Sequence, residues 1–568
     1  PDIPARLLVV GGGYVGLELG SVYASFGSRV TVVEAGSRLA AGADEDLARP
    51  LVKRLKELFA AVHLETTVTG AVEHEDRVEV TLSGPSGERG ETFDRVLVAS
   101  LILSNRIQKM HDCYIGIMVP TSAGAFLSVL GTVMTGKIPV MINYSTGAAE
   151  NCSYARDKCG FRTIITSRAL LEKINCPQQP GMICLEDILP TISVTEKLRA
   201  LVRSKLPLSV LLSTVHSAHD DEIAVILFTS GSEREPKAVQ LSHGNLLSNL
   251  RDCVKVYGLT EKDSILSILP LFHVFGHTID FWLPMTTGMT AVAYANPLDY
   301  KHIPTIIREE KPTVIAATPV FLGGYLREAR PGDFQSLRLM VAGADKVHDW
   351  IREEYAVKHG KTILEGYGTT ETSPVISTNT PENHRPGSIG KPLPSVGVHI
   401  VDINSGHVLA DGQEGKIMVK GDLVMKGYLH DFEETSLRIK DGWYDTGDMG
   451  MLDAEGFLWH RGRLKRFVKI GGEMVSLVKI ETELERLLPS GTDCCVVEIP
   501  DRIKGARICA ALTCTVDDRD LIRQLRKRLP PIAVPSTFLS FPELPKMGSG
   551  KLDFRRITVM VRDRLNQT

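Results

Sequence analysis

Two short loops of the chain carry the residue types that bind phosphate groups. The first, FTSGSEREPK, follows an apolar strand-like run and supplies Thr229, Ser230, Gly231, Ser232 and Lys237. Its hydroxyls and backbone amides can surround phosphate oxygens, and its lysine adds a positive charge. The second loop, GSGK, lies near the C-terminus and ends in Lys551. Two such loops, far apart in the sequence, predict a triphosphate held from two sides, with one loop on a movable domain.

A further set of side chains matches the other parts of a nucleotide. In the run EGYGTTE, residues 365–371, the Tyr367 ring can stack on a purine and the Thr370 hydroxyl can bind an α-phosphate. The Glu371 carboxylate can hold Mg²⁺ through oxygen ligation. Asp448, in GWYDTGD, can accept hydrogen bonds from both ribose hydroxyls. These residue types predict ATP and Mg²⁺ as cofactors.

The N-terminus carries a glycine motif typical of dinucleotide binding. Gly11, Gly13 and Gly16 lie between a predicted strand and a predicted helix, and Glu34 ends the next predicted strand. The glycines permit a tight turn and close approach to a pyrophosphate, while the acid can accept from a ribose hydroxyl. Residues 3–99 resemble the NAD-binding domain of dihydrolipoamide dehydrogenases.

The role of this N-terminal segment is open to two interpretations. It is either a residual NAD-binding module or a folded remnant without a part in catalysis. The sequence shows no second glycine motif for FAD and no redox-active cysteine pair. Because nothing then passes the electrons of a hydride onward, we favour the second interpretation.

Residues from about 101 to 568 resemble the AMP-forming adenylating enzymes, which include acyl-CoA synthetases, luciferases and nonribosomal adenylation domains. Six motifs occur in the family's order: FTSGSE, AGADK, EGYGTTE, GWYDTGD, GRLKRFVKIGGEMVS and LPKMGSGKLD. The nearest resemblance is to the acyl-acyl-carrier-protein synthetase half of the bifunctional 2-acylglycerophosphoethanolamine acyltransferases. The membrane acyltransferase half of those relatives is not in this sequence.

The resemblance implies where the nucleotide binds. Residues 229–232 and Lys237 would hold the β- and γ-phosphates. Asp448 and Arg463 would bind the ribose. The adenine pocket would be formed by Gly343, Ala344, Asp345, Gly366 and Tyr367.

The resemblance to the adenylating enzymes also implies which residues take part in the reaction. Thr370 would contact the α-phosphate, and Glu371 would be the metal ligand. Lys551 would bridge the attacking carboxylate and the α-phosphate. His273, in PLFH, would lie at the acyl pocket, although it could instead be a packed core histidine. Lys465 falls where the family's C-terminal domain swings.

The phosphate loop departs from the family pattern at three positions. Arg234 and Ala238 stand where most relatives have glycine, and Glu233 places a negative charge beside the phosphates, although it fits the acyl-carrier-protein branch. A side chain in place of glycine can stiffen such a loop or narrow the approach of phosphate. Reduced activity is therefore one expectation.

The predicted fold class is α/β. A Rossmann-like N-terminal domain (1–99) is fused to a large α/β adenylate-forming domain (100–462) and a small mobile α+β C-terminal domain (463–568). The most apolar stretch, residues 115–142, is interrupted by Pro120, Gly124, Gly131, Gly136 and Pro139 and is predicted as a buried βαβ unit rather than a membrane span.

Composition narrows the class of protein. The net charge of −3 and the lack of a basic block argue against a nucleic-acid partner. Ten scattered cysteines without a C-x-x-C pair are typical of reduced thiols in a cytoplasmic enzyme. No transmembrane segment is expected, and peripheral contact with a membrane stays compatible with the sequence.

The predicted function is ATP-dependent ligation of a fatty acid to a thiol, with acyl carrier protein or coenzyme A as the acceptor. One alternative is a catalytically weak protein that binds adenylates or acyl groups. Another is an NAD-linked oxidoreductase acting through residues 1–99.

Overall fold

The computed structural model describes residues 6–10, 29–33, 55, 59, 61–63, 67–73, 78–84, 87–93, 99–193, 195–196, 199–200, 203, 208–229, 236–470, 473–489, 491–501, 505–546 and 552–566. The chain forms two compact units. One comprises Pro1–Lys109 with Pro190–His216, and the other comprises Met110–Leu189 with Ser217–Thr568. The domain boundaries expected at 99 and 462 stay predictions.

The first unit contains two small sheets. Its parallel sheet consists of Arg6–Val10, Arg29–Val33 and Ala61–His63. Its antiparallel sheet consists of Thr67–Glu73, Val78–Gly84 and Gly87–Phe93. The strands expected at the N-terminus are thereby confirmed, whereas Gly11, Gly13, Gly16 and Glu34 lie outside the described residues.

One local prediction in this unit is corrected. The sequence predicts an apolar strand from Arg95 to Ala99, but Ala99 begins the helix Ala99–Gln108. Leu103 and Ile107 are buried at helical spacing, which favours this conformation. Arg106 of the helix binds Glu196 at 2.7 Å, which ties the helix to the segment Pro190–His216. The short helix Leu208–Leu212 belongs to the same segment.

The second unit is built on two seven-stranded sheets. The first has the spatial order Met182–Cys184, Ile164–Thr166, Tyr114–Met118, Ile138–Met141, Ile223–Phe228, Ala238–Ser242 and Gly427–Tyr428. The expected βαβ unit is confirmed here, because the helix Ala123–Val133 connects two adjacent parallel strands. In the part of the chain that the structure describes, no helix is long and apolar enough to cross a bilayer.

The second seven-stranded sheet positions most of the nucleotide motifs. Its order is Thr290–Ala293, Ser264–Ser267, Val314–Ala317, Leu339–Ala342, Ile363–Gly368, Val375–Thr378 and Lys391–Pro392. The strands from Thr290–Ala293 through Ile363–Gly368 are parallel. The inner strands Ser264–Ser267, Val314–Ala317 and Leu339–Ala342 are mostly buried, as expected for a sheet covered on both faces, whereas the edge strand Thr290–Ala293 is partly exposed. In open α/β sheets, ligands bind beyond the carboxyl ends of such strands.

Helices cover these two sheets. They are Ala148–Cys159, Arg168–Lys173, Leu185–Ile188, His243–Tyr257, Leu283–Thr287, His302–Glu310, Pro319–Glu328, Asp349–His359 and Phe432–Arg438. A π-helix, Gly276–Trp282, precedes Leu283–Thr287.

Antiparallel strands form the remainder of the second unit. A five-stranded sheet contains Gly397–Val401, Gly415–Lys420, Trp443–Leu452, Ile439–Lys440 and Leu458–Arg463. The C-terminal part has a hairpin, Phe467–Ile470 with Glu473–Ser476, and a three-stranded sheet, Cys494–Asp501, Gly505–Leu512 and Thr537–Ser540. Its helices are Leu477–Glu485, Asp518–Leu525 and Phe554–Asn566, which confirms the α+β character expected there.

Candidate active site

The adenine motif lies at the carboxyl ends of two adjacent parallel strands. Gly343, Ala344 and Asp345 directly follow Leu339–Ala342, and Tyr367 lies near the end of Ile363–Gly368. A Cβ atom on Gly343 would lie 3.2 Å from the Phe275 ring, so this approach favours glycine. All four motif residues, together with Gly366, line one cleft of about 2020 Å³. The sequence assigned these residues to separate motifs, and the structure shows that they line the same cleft.

Asp448 is the buried acid of this cleft. It lies on Trp443–Leu452, and the residue is only 4% exposed. The Tyr367 hydroxyl donates to its Oδ2 atom at 2.5 Å. Arg463 Nε and His460 Nε2 lie 3.7 and 3.8 Å from its Oδ1 atom, which is too far for hydrogen bonds.

The charge of Asp448 is favoured despite its burial. Burial raises the pKa of Asp448, but His460, Arg463 and the Tyr367 hydroxyl more than offset this and hold the pKa below its usual value. Among the described residues, no donor satisfies Oδ1. A buried, unsatisfied acceptor costs about 1–3 kcal/mol, and a ligand with hydroxyl donors would remove that cost. The ribose role expected for Asp448 and Arg463 fits this geometry.

Thr370 and Glu371 lie on a tight turn after Ile363–Gly368. The 3₁₀ turn Thr370–Thr372 is capped by Thr369, whose amide donates to Thr372 Oγ1 at 3.1 Å. A Cβ atom on Gly368 would lie 1.9 Å from the Pro374 carbonyl oxygen, so the turn requires glycine there. Through this turn, Thr370 and Glu371 line the same cleft as the adenine motif.

The Glu371 carboxylate suits a magnesium ion. Its Oε1 atom accepts a hydrogen bond from the Tyr428 hydroxyl at 2.8 Å, and Oε2 has no hydrogen-bond partner within the described ranges. Across those ranges, no three His, Cys, Asp or Glu side chains cluster around a common point. Mg²⁺ is often held by one or two carboxylates together with substrate phosphates, which is the arrangement this donor set allows.

The base of the phosphate loop is closed by backbone contacts. The Thr229 amide donates to the Lys237 carbonyl, and the Lys237 amide donates to Thr229 Oγ1, both at 3.0 Å. Ser230, Gly231 and Ser232 lie outside the described residues. Ala238 begins the regular strand Ala238–Ser242, a conformation that does not require glycine. Its substitution for glycine therefore leaves the strand intact.

The Lys237 side chain has partners that the motif did not indicate. Its ammonium forms an ion pair with Glu434 and lies 4.9 Å above the centre of the Tyr428 ring. Glu434 also binds Arg438 at 3.1 Å. Sequence reasoning missed Tyr428 and Glu434, because they lie in a segment without a recognisable phosphate motif.

His273 lines the same cleft. It is half-buried and precedes the π-helix Gly276–Trp282, with its ring 4.5 Å from that of Phe272. Apolar residues that line the same cleft include Val274, Ile279, Leu283, Phe321 and Val341. These side chains could accommodate an acyl chain.

Asp280 anchors the loop that carries His273. Its carboxylate accepts the amides of Ile268 and Leu269 at 2.8 and 2.7 Å, directly before Pro270. Burial raises the pKa of Asp280 well above its usual value. Only the structure revealed this contact, because a single aspartate in an apolar helix has no distinctive pattern.

The C-terminal part of the unit contacts the adenine loop. His348 Nδ1 lies 3.4 Å from Glu485 Oε2, and Lys346 Nζ donates to Thr482 Oγ1 at 3.1 Å. The hydrogen bond to Glu485 raises the pKa of His348. Burial and the Lys346 ammonium oppose that rise, whereas Asp345 adds to it.

The expected hinge lies between the strand Leu458–Arg463 and the C-terminal hairpin. Lys465 is in the 3₁₀ turn Leu464–Arg466 that joins them. Arg466 of this turn donates to the Val496 carbonyl at 3.0 Å, so the turn ends inside the C-terminal part. Lys551 lies outside the described residues.

Comparison with known families accounts for most of the chain. The profile described as "AMP-binding enzyme" matches residues 71–429, and that of the "AMP-binding enzyme C-terminal domain" matches residues 480–551. The profile described as "Pyridine nucleotide-disulphide oxidoreductase" matches residues 6–89.

Individual relatives agree with the first two profiles. The chain is 28% identical over 501 residues to a long-chain-fatty-acid–CoA ligase of Bacillus subtilis, covering 82% of this chain and 88% of the relative. It is 31% identical over 340 residues to an indoleacetate–CoA ligase of Aromatoleum aromaticum, covering 58% and 65%.

A solved structure shows the same adenylate-forming fold. It is the o-succinylbenzoate CoA synthetase of Bacillus subtilis in complex with its acyl-adenylate intermediate. The TM-score is 0.70 at 25% identity, over 81% of this chain and 91% of that one. With the family profile matching well over half of its length, this chain belongs to the AMP-binding enzyme family and carries that family's C-terminal domain.

Proposed function

We propose that this chain uses ATP to activate a fatty acid as its acyl-adenylate and then transfers the acyl group to a thiol. The observation that carries the proposal is Asp448, a buried carboxylate with one oxygen held by Tyr367 and the other without a described donor. It lies in the same cleft as Gly343, Thr370 and Glu371. That combination suits a nucleotide with its ribose at the acid and its phosphates at the turn.

The reaction would proceed in two steps. The fatty-acid carboxylate attacks the α-phosphorus of ATP, which forms the acyl-adenylate and releases pyrophosphate. The thiol then attacks the acyl carbon, and AMP leaves. Lys551 would neutralise the charge that builds up in the first step, while Thr370 would orient the α-phosphate. Magnesium at Glu371 would neutralise charge on the phosphates.

The C-terminal part would change its position between the two steps. Rotation at the turn that contains Lys465 would withdraw Lys551 and admit the thiol. The contacts of His348 and Lys346 with Glu485 and Thr482 would then break and re-form in each cycle. Catalysis would depend mainly on positioning, because no residue needs to form a covalent intermediate.

The acyl substrate is proposed from the cleft and from the relatives. The apolar residues that line the cleft suit a hydrocarbon chain, and a relative covering most of this chain is named as a long-chain-fatty-acid–CoA ligase. The relatives' names favour coenzyme A as the acceptor. The resemblance of the motifs to acyl-acyl-carrier-protein synthetases favours a carrier protein, and we propose both thiols for direct comparison.

ATP–pyrophosphate exchange tests the first step. We expect exchange that depends on a fatty acid and varies with its chain length, followed by acyl transfer to coenzyme A or acyl carrier protein. Binding of an acyl-adenylate without exchange for any acid would instead identify a catalytically weak binding protein. An NADH-linked absorbance change without exchange would favour an oxidoreductase acting through residues 1–99, where the pyridine-nucleotide profile matches.

A further inference from the structure

Tyr428 contacts two of the charged groups on which the proposed ATP site depends. Its hydroxyl donates to Glu371 Oε1 at 2.8 Å, and its ring lies beneath the Lys237 ammonium at 4.9 Å. Glu371 is the proposed metal ligand, and Lys237 is the proposed ligand of the β- and γ-phosphates. One side chain therefore spans the space between the carboxylate and the ammonium that would hold the triphosphate.

The backbone of Tyr428 is held from both sides. It lies opposite Val239 in the strand pair that directly follows the phosphate loop. Its amide donates to Thr435 Oγ1 at 2.9 Å. The preceding Gly427 has φ of 140°, and a Cβ atom there would lie 2.8 Å from Thr435 Cγ2. The residue is only 5% exposed, so its ring has little freedom to move.

The same segment also holds the backbone of Glu371 and the side chain of Lys237. The Met425 amide donates to the Glu371 carbonyl at 2.8 Å. Glu434, on Phe432–Arg438, forms the ion pair with Lys237. Tyr428, Lys237 and Glu434 line a polar cavity of about 520 Å³ beside the phosphate loop. One end of the segment thus contacts the backbone of Glu371, and the other end contacts the side chain of Lys237.

The Tyr428 hydroxyl engages only one oxygen of Glu371. It donates to Oε1, while Oε2 has no hydrogen-bond partner among the residues that the structure describes. Glu371 therefore keeps one carboxylate oxygen for a metal ion while the other is held by the tyrosine.

We propose that Tyr428 is a positioning residue for adenylation, which sets the spacing between the metal-binding carboxylate of Glu371 and the phosphate-binding ammonium of Lys237. This inference rests on the proposed function. MgATP and pyrophosphate need both groups, whereas an acyl-adenylate has neither a β- nor a γ-phosphate. A change at Tyr428 should therefore weaken MgATP binding and spare the adenylate.

Three variants distinguish the loss of the two Tyr428 contacts from a general loss of protein stability. Tyr428→Phe removes the hydroxyl and keeps the ring, whereas Tyr428→Leu removes both. Tyr355→Phe is the matched control, because Tyr355 is fully buried, its hydroxyl donates to the Leu322 carbonyl at 2.9 Å, and neither residue lines the cleft. Calorimetry would measure the binding of MgATP and of a non-hydrolysable acyl-adenylate analogue, each at several Mg²⁺ concentrations.

We expect Tyr428→Phe to weaken MgATP binding by about tenfold, as for a lost hydrogen bond to a charged group, and to raise the Mg²⁺ concentration needed for half-saturation. Tyr428→Leu should weaken it by about fiftyfold, because the cation–ring contact is lost as well. Both variants should bind the analogue as the wild type does. Tyr355→Phe should lower thermal stability while leaving both affinities unchanged.

The inference is overturned if Tyr428→Phe binds MgATP with unchanged affinity and Mg²⁺ dependence. It is equally overturned if both affinities fall together in a folded variant, because that result indicates a structural role only. If Tyr428→Leu does not fold, the Mg²⁺ titration of Tyr428→Phe still tests the proposed role of Tyr428. Failure of the wild type to bind either ligand would instead refute the proposed function.

Discussion

Replacement of Asp448 by asparagine removes the charge of the carboxylate while keeping its shape. The amide retains one acceptor oxygen, so the change affects the strength of the ribose contacts more than their geometry. A hydrogen bond to a charged group contributes about 1.5–3 kcal/mol, against about 0.5–1.5 kcal/mol for a neutral one. With two ribose hydroxyls and about 1 kcal/mol lost at each, we expect AMP to bind about 30-fold more weakly.

The surroundings of Asp448 support the full expected loss of AMP affinity. The positive charge of Arg463, 3.7 Å from Oδ1, would face a neutral amide in the variant. The Tyr367 hydroxyl, now at 2.5 Å from Oδ2, would also lose a charged acceptor. Because the residue is only 4% exposed, water cannot readily replace these interactions. The affinity for AMP is best measured by calorimetry on the folded variant.

Asp263→Asn is the matched control. Asp263 is also buried, and Arg338 Nε lies 2.6 Å from its Oδ1 atom, but it does not line the cleft. The hydrogen bond from Arg338 lowers the pKa of Asp263 to about 2. Its contribution to stability is therefore present above pH 3.8 and lost as the pH falls towards about 2. With Arg338 partly exposed, we expect a loss of about 1–2 kcal/mol in stability and no change in AMP affinity.

The reasoning about the ribose site is refuted by one clear result. If Asp448→Asn unfolds at the wild-type temperature and binds AMP as tightly as the wild type, Asp448 does not accept from the ribose. A loss of affinity in both variants would point to a general effect of destabilisation rather than to a ribose contact.

Three further changes have defined outcomes. Lys551→Ala should lose adenylation by orders of magnitude and still transfer the acyl group from a synthetic acyl-adenylate, and equal loss of both half-reactions would exclude the proposed role. Since the hydrogen bond to Glu485 raises the pKa of His348 above 6.5, that pair stabilises the protein below about pH 6.5 and ceases to do so as the pH rises through the raised value. His348→Gln should remove this pH dependence, and unfolding temperatures that run parallel for wild type and variant across pH would contradict it. Gly368→Ala should weaken nucleotide binding at least tenfold, because its Cβ atom would lie 1.9 Å from a carbonyl oxygen, whereas Gly397→Ala meets only ordinary contacts and should be neutral. Similar nucleotide affinities for the two glycine variants would disprove that explanation.

The elements of the second unit were largely predictable. Apolar runs bounded by glycine and proline predict its strands, and VILF at 225–228 lies within Ile223–Phe228 as expected. The sequence also predicts a helix around Asp520 to Leu529. The structure has it at Asp518–Leu525, because Asp517 caps its start and the following segment leads to Pro530. Boundaries of this kind depend on caps, which apolar periodicity does not reveal.

The long-range contacts of the site were not predictable. Tyr428 lies 57 residues from Glu371, and Glu434 lies 197 residues from Lys237. Neither Tyr428 nor Glu434 belongs to a sequence motif that indicates which residue it contacts. Their meeting depends on the strand Gly427–Tyr428 joining the edge of the sheet beside Ala238–Ser242, which is a property of topology.

By itself, the sequence determined which chemistry the chain can offer: small hydroxyl residues and lysines for phosphates, a tyrosine and two acids for the rest of a nucleotide, and α/β segments to carry them. Only the tertiary structure decided which of these groups meet, how deeply Asp448 is buried and which oxygen it leaves for a ligand. Residue type follows from the local chain, whereas burial and pairing depend on strands that are distant in sequence and adjacent in space.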